Sequence, residues 1–242
     1  MSNQEKTPLV IIACKVLQDL LEAILPEHFA DQVIFMDYGL HRFPQKMTLA
    51  LQEVINDLKD PGTVILGYGL CGKGLIGIEA YKHTLLIPRV DDCIAMLLGS
   101  YQSYIREFEA EPGTYYLSKG WLESGSHPLK EYEEYCEKYG RDDAAWIMDQ
   151  QYRNYRRLAL VTHTQADMEK YRPQAQAIGR YCAQWNIRYE EILGSNRYIR
   201  RLIEVGASID KADDDFVVIP PGGKIRREQF IRPQVTKIGY KH

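Results

Sequence analysis

Cysteine is where this sequence offers the most chemistry, because a thiolate both ligates soft metals and attacks electrophiles. Five cysteines stand at Cys14, Cys71, Cys93, Cys136 and Cys182. An odd number at wide spacing differs from the dense, even set of a secreted disulfide framework, so reduced thiols are expected. Three of them share a position in the local pattern. Cys14 directly follows the apolar run Leu9 to Ala13. Cys71 lies in Gly67-Tyr68-Gly69-Leu70-Cys71-Gly72-Lys73-Gly74, immediately after the run Thr63 to Leu66. Cys93 follows Leu85-Leu86-Ile87 and its sequel Pro88-Arg89-Val90-Asp91-Asp92. Cys136 and Cys182 sit in helical contexts and read as structural.

The surroundings of two of these thiols suggest activation. Asp91 or Asp92 would cap a helix and put Cys93 in its first turn, where free N–H groups and the helix dipole favour a thiolate. Gly69, Gly72 and Gly74 would let backbone amides approach a cofactor near Cys71. Lys73 and Arg89 would neutralise an anionic site or its substrate. Three thiolates could hold an iron–sulfur cluster with one iron open. They could also hold zinc, with His83, His163, Asp92 or water as fourth ligand. No compact Cys-x-x-Cys pair supports either choice. Two other readings stay open: the thiols fill a core as small hydrophobes, or Cys71 and Cys93 act as opposed acid and base without a cofactor.

The glycine segment also contains the Gly-x-Gly-x-x-Gly spacing that can cradle a nucleotide phosphate. It follows the third strand rather than the first, and the Gly-Lys-Ser/Thr ending is absent, so tight turns are the plainer use. Gly222-Gly223-Lys224 is a second possible anion loop. His163 follows a buried strand and could face the same cleft, although a satisfied structural histidine is the simpler expectation. Pro112 to Leu117, with Gly120-Trp121, reads as a β-hairpin or loop with an aromatic floor. Arg153, Arg156 and Arg157, with Arg226, Arg227 and Arg232, read as solvated faces.

These residues need elements to hold them. Leu9 to Ala13, Val33 to Met36 and Thr63 to Leu66 are short β-branched runs expected as buried strands. Amphipathic helices fall between them, at Leu17 to Ile24 and Met47 to Leu58. Alternation of this kind predicts a parallel sheet with right-handed crossovers. Leu158 to Val161, Ile187 to Ile192 and Phe216 to Ile219 replay the strands, and Tyr171 to Trp185 and Tyr198 to Val205 the helices. Pro173 is tolerable only near a helix start. Residues 1–90 thus read as a first α/β half and 157–242 as a second. Residues 91–156 form a Tyr-rich helical insert or bridge, with helices at Glu131 to Tyr139 and Asp142 to Tyr155. The expected architecture is two Rossmann-like parallel-sheet halves, an architectural pseudo-duplication. Loops beyond the strand C-termini gather along one edge of such a sheet, which makes Cys14, Cys71 and Cys93 candidates for one cleft.

Composition narrows the function classes. The chain has 242 residues, 30 Lys+Arg against 33 Asp+Glu, and 45% hydrophobic residues. A formal charge of −3 offers no electrostatic case for nucleic acid or a membrane surface. No apolar stretch approaches the ~18 residues of a membrane span. Met1 is followed by the polar run Ser2 to Lys6 rather than a signal peptide, so a cytoplasmic protein is expected.

The cysteine-bearing segments Ile12-Ala13-Cys14, Gly67 to Gly72, and Pro88 to Ile94 with Leu98-Gly99-Ser100 resemble a prokaryotic family, number 1638 among the domains of unknown function. Pro112 to Tyr116 and Gly120-Trp121 fit the same pattern. The resemblance covers the first half well and the second weakly. It implies anaerobic bacteria and methanogens, often beside genes for corrinoid-dependent methyl transfer, and it places the three cysteines in the segments that identify the family. The leading expectation is therefore a metal- or iron–sulfur-binding protein of anaerobic metabolism, linked to corrinoid-dependent methyl transfer. The alternatives are a racemase-like two-thiol enzyme acting on a small molecule, and a non-catalytic module binding a corrinoid or a methyltransferase.

Overall fold

A computed structural model describes residues 7–232; the run Ser2 to Lys6 lies outside them. In chain order the elements are β1 (Leu9–Cys14), α1 (Gln18–Ile24), β2 (Gln32–Met36), α2 (Pro44–Asp57), β3 (Thr63–Gly67) and β4 (Thr84–Pro88). There follow α3 (Ile94–Leu97), α4 (Tyr101–Ala110), β5 (Thr114–Ser118), α5 (Lys119–Ser124), α6 (Pro128–Tyr139) and α7 (Arg141–Tyr152). The chain continues through β6 (Arg157–Thr162), α8 (Gln165–Cys182), β7 (Arg188–Leu193), α9 (Arg197–Ala207) and β8 (Phe216–Ile219). The fold is α/β, as the alternating pattern predicts, and its strands fall where the β-branched runs do.

Two sheets carry it. The first has the order β2-β1-β3-β4-β8. β1 runs parallel to both neighbours, with Ile12 opposite Ile34 on one side and Leu66 on the other. All six β1 residues are buried, because helices cover both faces of a parallel sheet and leave no face for polar side chains. The second sheet, β5-β6-β7, is entirely parallel. Each sheet has its own apolar core, the second built from Leu158, Leu160, Ile178 and Cys182 with a wall of tyrosines.

The connections differ from a duplication in two places. Phe216–Ile219 does not close the second sheet: β8 returns to the first and lies antiparallel to β4, with Leu85 opposite Ile219. Helix α9 leads it there, packed so closely that a Cβ on Gly206 would stand 2.3 Å from Ile65 Cδ1. The other difference is in the insert, where Thr114–Ser118 is neither hairpin nor loop but the edge strand of the second sheet. The run Thr114-Tyr115-Tyr116-Leu117 suits a half-buried strand, since aromatic residues pack well on a pleated surface. The second lobe is thus inserted into the first. Its outgoing and returning segments touch: Ser195 N donates to Leu97 O at 3.1 Å and Arg197 Nε to Gly99 O at 3.3 Å. Gly99 is required there, at φ +84° and with no room for a Cβ beside Ser195.

Helix α8 also begins earlier than its apolar spacing suggests. Thr164 caps it, its hydroxyl accepting from Asp167 N at 3.0 Å, so Pro173 stands in the interior and removes one backbone hydrogen bond. No helix among the described residues is long and apolar enough to cross a membrane.

Candidate functional site

Strand order decides where a site can form. The chain steps from β1 outward to β2, then returns past β1 to β3 and β4, so the crossovers diverge on either side of the β1–β3 pair. The crevice beyond the strand C-termini at such a switch point is where open α/β sheets take ligands. Each of the four parallel strands delivers a residue to it. Cys14 ends β1, Asp37 follows β2, Tyr68 and Cys71 follow β3, and Asp92 and Cys93 follow β4. These six, with Val16, Leu40, Gly72, Ile94 and Trp121, line one cavity of about 240 Å³. The expected convergence of the three thiols is present.

Two loops are knitted together to achieve it. Leu70 N donates to Val90 O at 2.9 Å and Cys71 N to Asp91 O at 2.8 Å. A Cβ on Gly69 would lie 2.6 Å from the Asp92 carbonyl carbon, so only glycine lets the β3 loop rest on the β4 loop. The glycine segment therefore spends two of its amides on the neighbouring loop, where they cannot cradle a phosphate. Cys71 itself has φ +45°, followed by Gly72 at +63° and Lys73 at +79°. Cys71 and Lys73 occupy a left-handed region costly for any residue with a Cβ, and such strain concentrates at functional positions.

Gly72 borders the cavity, but the other residues expected to hold a cofactor do not. Gly74 packs on Met47, and Lys73 projects into solvent. The Arg89 guanidinium points outward to Asp214 at 3.6 Å, while its carbonyl accepts from Arg232 at 3.0 Å. The left-handed turn at 71–73 swings Lys73 and Gly74 away from the crevice after the thiol has been delivered, and the segment before β8 holds Arg89 outward, its N donating to Asp215 O at 2.8 Å. Among the possible fourth ligands, Asp92 lines the cavity. His83 precedes β4 and so lies at the opposite end of the sheet, and His163 Nε2 is tied to Leu97 O at 2.8 Å. All five cysteines are free; Cys136 and Cys182 lie on α6 and α8, away from the cavity. The six members of the cluster include two that cysteine-led reasoning passes over, Asp37 and Tyr68. Both follow a parallel strand directly, which is the same signal that singled out the thiols.

Electrostatics set the resting state of these groups. Burial, aided by the Asp37 carboxylate, pushes the Cys14 thiol up to about 11, and burial with Asp92 and Cys14 pushes Cys71 up to about 12. Cys93 is raised well above the ordinary thiol range by burial first, then by Cys71 and Cys14. The expected activation of Cys93 by a helix terminus does not occur. Cys93 is itself the N-cap of α3 rather than a residue of its first turn; Asp92 stands one position earlier, its Oδ1 accepting from Ile94 N at 2.9 Å, and the four-residue helix carries little dipole. Burial also raises the Asp92 carboxyl. Tyr68 is 2% exposed and its hydroxyl has no hydrogen-bond partner. Leaving a hydroxyl buried and unbonded costs about 1–3 kcal/mol, so its retention in a cavity wall needs a reason. None of the lining residues is Lys, Arg or His. Among the described residues, no group of three or more His, Cys, Asp or Glu side chains is arranged to hold a metal ion.

A family model described as "Protein of unknown function (DUF1638)" matches residues 35–203. The chain belongs to this family. No curated protein and no solved structure matches it. The DUF1638 match spans Asp37, Tyr68, Cys71, Asp92, Cys93 and Trp121, and Cys14 lies outside it. It takes in the whole second sheet and ends within α9, before β8.

Proposed function

We propose that this DUF1638 chain is an iron–sulfur protein in which Cys14, Cys71 and Cys93 hold the cluster at the switch-point crevice. The observation that carries the reading is the convergence of three thiols and the partnerless Tyr68 hydroxyl on one cavity whose lining has no basic side chain. A single zinc ion bound to three thiolates at ~2.3 Å would draw the sulfurs to within about 3.8 Å of one another. A cluster bridges sulfurs set further apart than that, because each thiolate binds a different iron. Such a cluster, held by three cysteines, offers one iron with an open position for a substrate or exogenous ligand. The chain's own groups suit that task. Val16, Leu40, Ile94 and Trp121 give the cavity an apolar wall, Tyr68 offers a hydrogen bond into it, and Asp37 and Asp92 supply further oxygen donors.

The raised thiols weigh against the cofactor-free alternative. An acid/base pair works best with one thiolate near neutral pH, and nothing cationic lines this cavity to provide one. A bound metal supplies the missing positive charge, and each thiol gives its proton to solvent on loading. Anaerobic metabolism, and a link to corrinoid-dependent methyl transfer, belong to the same proposal and rest on the family resemblance.

Anaerobic purification of the full chain, with iron, sulfide and zinc analysis, tests it. Iron and acid-labile sulfide are expected together, lost in Cys14→Ser, Cys71→Ser and Cys93→Ser and kept in Cys136→Ser. Zinc without sulfide, no metal at all, or a cluster surviving in all three serine variants would overturn it.

A further inference from the structure

A second cavity, of about 210 Å³, shares Ile94 and Trp121 with the thiol cavity and is otherwise lined by Thr114, Tyr115, Tyr116, Ser126, Glu131 and Tyr155. We propose that it binds a small organic cation, a short alkyl- or methylammonium group, next to the thiols. Three tyrosines and a tryptophan surround the space, and aromatic faces attract ammonium groups through their quadrupoles. The only ionisable group in the lining besides tyrosine is a carboxylate. Glu131 is 9% exposed, and its Oε2 accepts from Tyr152 Oη at 2.6 Å, which fixes the carboxylate's position. Tyr115 and Tyr155 meet nearly edge to face, with centroids 5.5 Å apart at 82°.

Neighbouring charges reinforce the sign. Arg157 is buried behind Tyr116, but Glu107 at 2.8 Å and Glu190 at 3.2 Å hold it, so two carboxylates match one guanidinium. His127 Nδ1 accepts from Lys130 N at 3.2 Å and burial lowers its pKa, leaving a neutral ring beside the cavity. An anion would face Glu131 and four aromatic π-systems, and a polyol would find only the Thr114 and Ser126 hydroxyls beyond the tyrosines. The volume equals about seven waters at ~30 Å³ each, which fits a molecule of a few carbons. Cation binding itself stands apart from the cluster. That the cation is the substrate delivered to the thiols rests on the proposed function.

The test uses the full chain, with choline as probe and 3,3-dimethyl-1-butanol as its uncharged carbon isostere. Calorimetry reads affinity, and upfield shifts of the N-methyl protons read contact with the rings. Choline is expected to bind about tenfold or more tighter than the isostere. Glu131→Gln, which keeps an acceptor for Tyr152, and Tyr155→Leu should each weaken choline by about tenfold, with circular dichroism unchanged. Equal affinity for the two probes in the wild-type chain, or no choline binding, would overturn the proposal. Running the titration on metal-free and on reconstituted protein separates the two readings. Choline selectivity without metal retention leaves the cation site standing and removes the cluster, and metal retention without selectivity does the reverse.

Discussion

Replacing Cys71 by glycine should stabilise the metal-free protein relative to replacing it by alanine, although both remove the thiol. The backbone at this position has φ +45°, where a Cβ crowds the following carbonyl. The left-handed conformation costs a non-glycine residue about 1–2 kcal/mol. Glycine escapes that cost but gives back about 0.4–1 kcal/mol through the greater freedom of its unfolded chain. The net expectation is that Cys71→Gly exceeds Cys71→Ala by about 1 kcal/mol, or roughly 3 °C in Tm for a domain of this size. Urea unfolding of the two variants under chelator, compared at constant m-value, measures the difference directly. Alanine equal to or better than glycine would refute the claim that the backbone here is strained for the sake of the thiol. Wild type provides an internal check: if the strain is real, the glycine variant should also approach or exceed its metal-free stability while losing metal retention.

Two further outcomes follow from the same site. Raised thiols bind protons more tightly folded than unfolded, so stability is full below the unfolded thiol pKa of about 9 and falls as pH climbs toward the folded values of about 11 for Cys14 and about 12 for Cys71. In metal-free protein each thiol should cost about 1 kcal/mol between pH 9 and pH 10, and denaturant titrations in which stability is flat or rises over that window would contradict the burial of these groups. Gly69→Ala places a methyl 2.6 Å from the Asp92 backbone and should cost about 1–3 kcal/mol by parting the two loops. Its metal affinity should fall more than that of Gly140→Ala, a change at the positive-φ turn between α6 and α7, and equal losses would show that loop contact does not set the thiol spacing.

What was legible in the sequence was whatever a single segment determines by itself. Leu9 to Ala13, Thr63 to Leu66 and Leu158 to Val161 have no polar face, so they must be buried strands, and they are. The convergence of the three thiols was legible too, because strand ends in a parallel sheet share an edge. Pairing between distant segments was not. Phe216–Ile219 reads as a strand in any context, but nothing in four apolar residues says that it will run antiparallel beside β4. Thr114–Ser118 was hidden by its tyrosines, which suit a loop floor as well as a sheet edge. Side-chain direction was least accessible: Lys73 and Arg89 adjoin the site in sequence, but the turn at 71–73 carries Lys73 into solvent and the segment before β8 turns Arg89 toward Asp214. Tyr68 went unnoticed because an unbonded hydroxyl is a property of three-dimensional surroundings.

The antiparallel placement of β8 bears on how the chain is made. Strand β4 carries Leu85, Leu86 and Ile87, all fully buried, and until β8 arrives its outer edge has no partner. On a ribosome adding about 5–20 residues per second, the wait from Pro88 to Ile219 is on the order of ten seconds, during which the whole inserted lobe is synthesised. An apolar strand edge held open that long is a template for pairing with another chain. Vectorial synthesis therefore leaves the nascent first lobe in need of protection, and chains terminated before Phe216 should aggregate even though their thiol crevice has been fully translated.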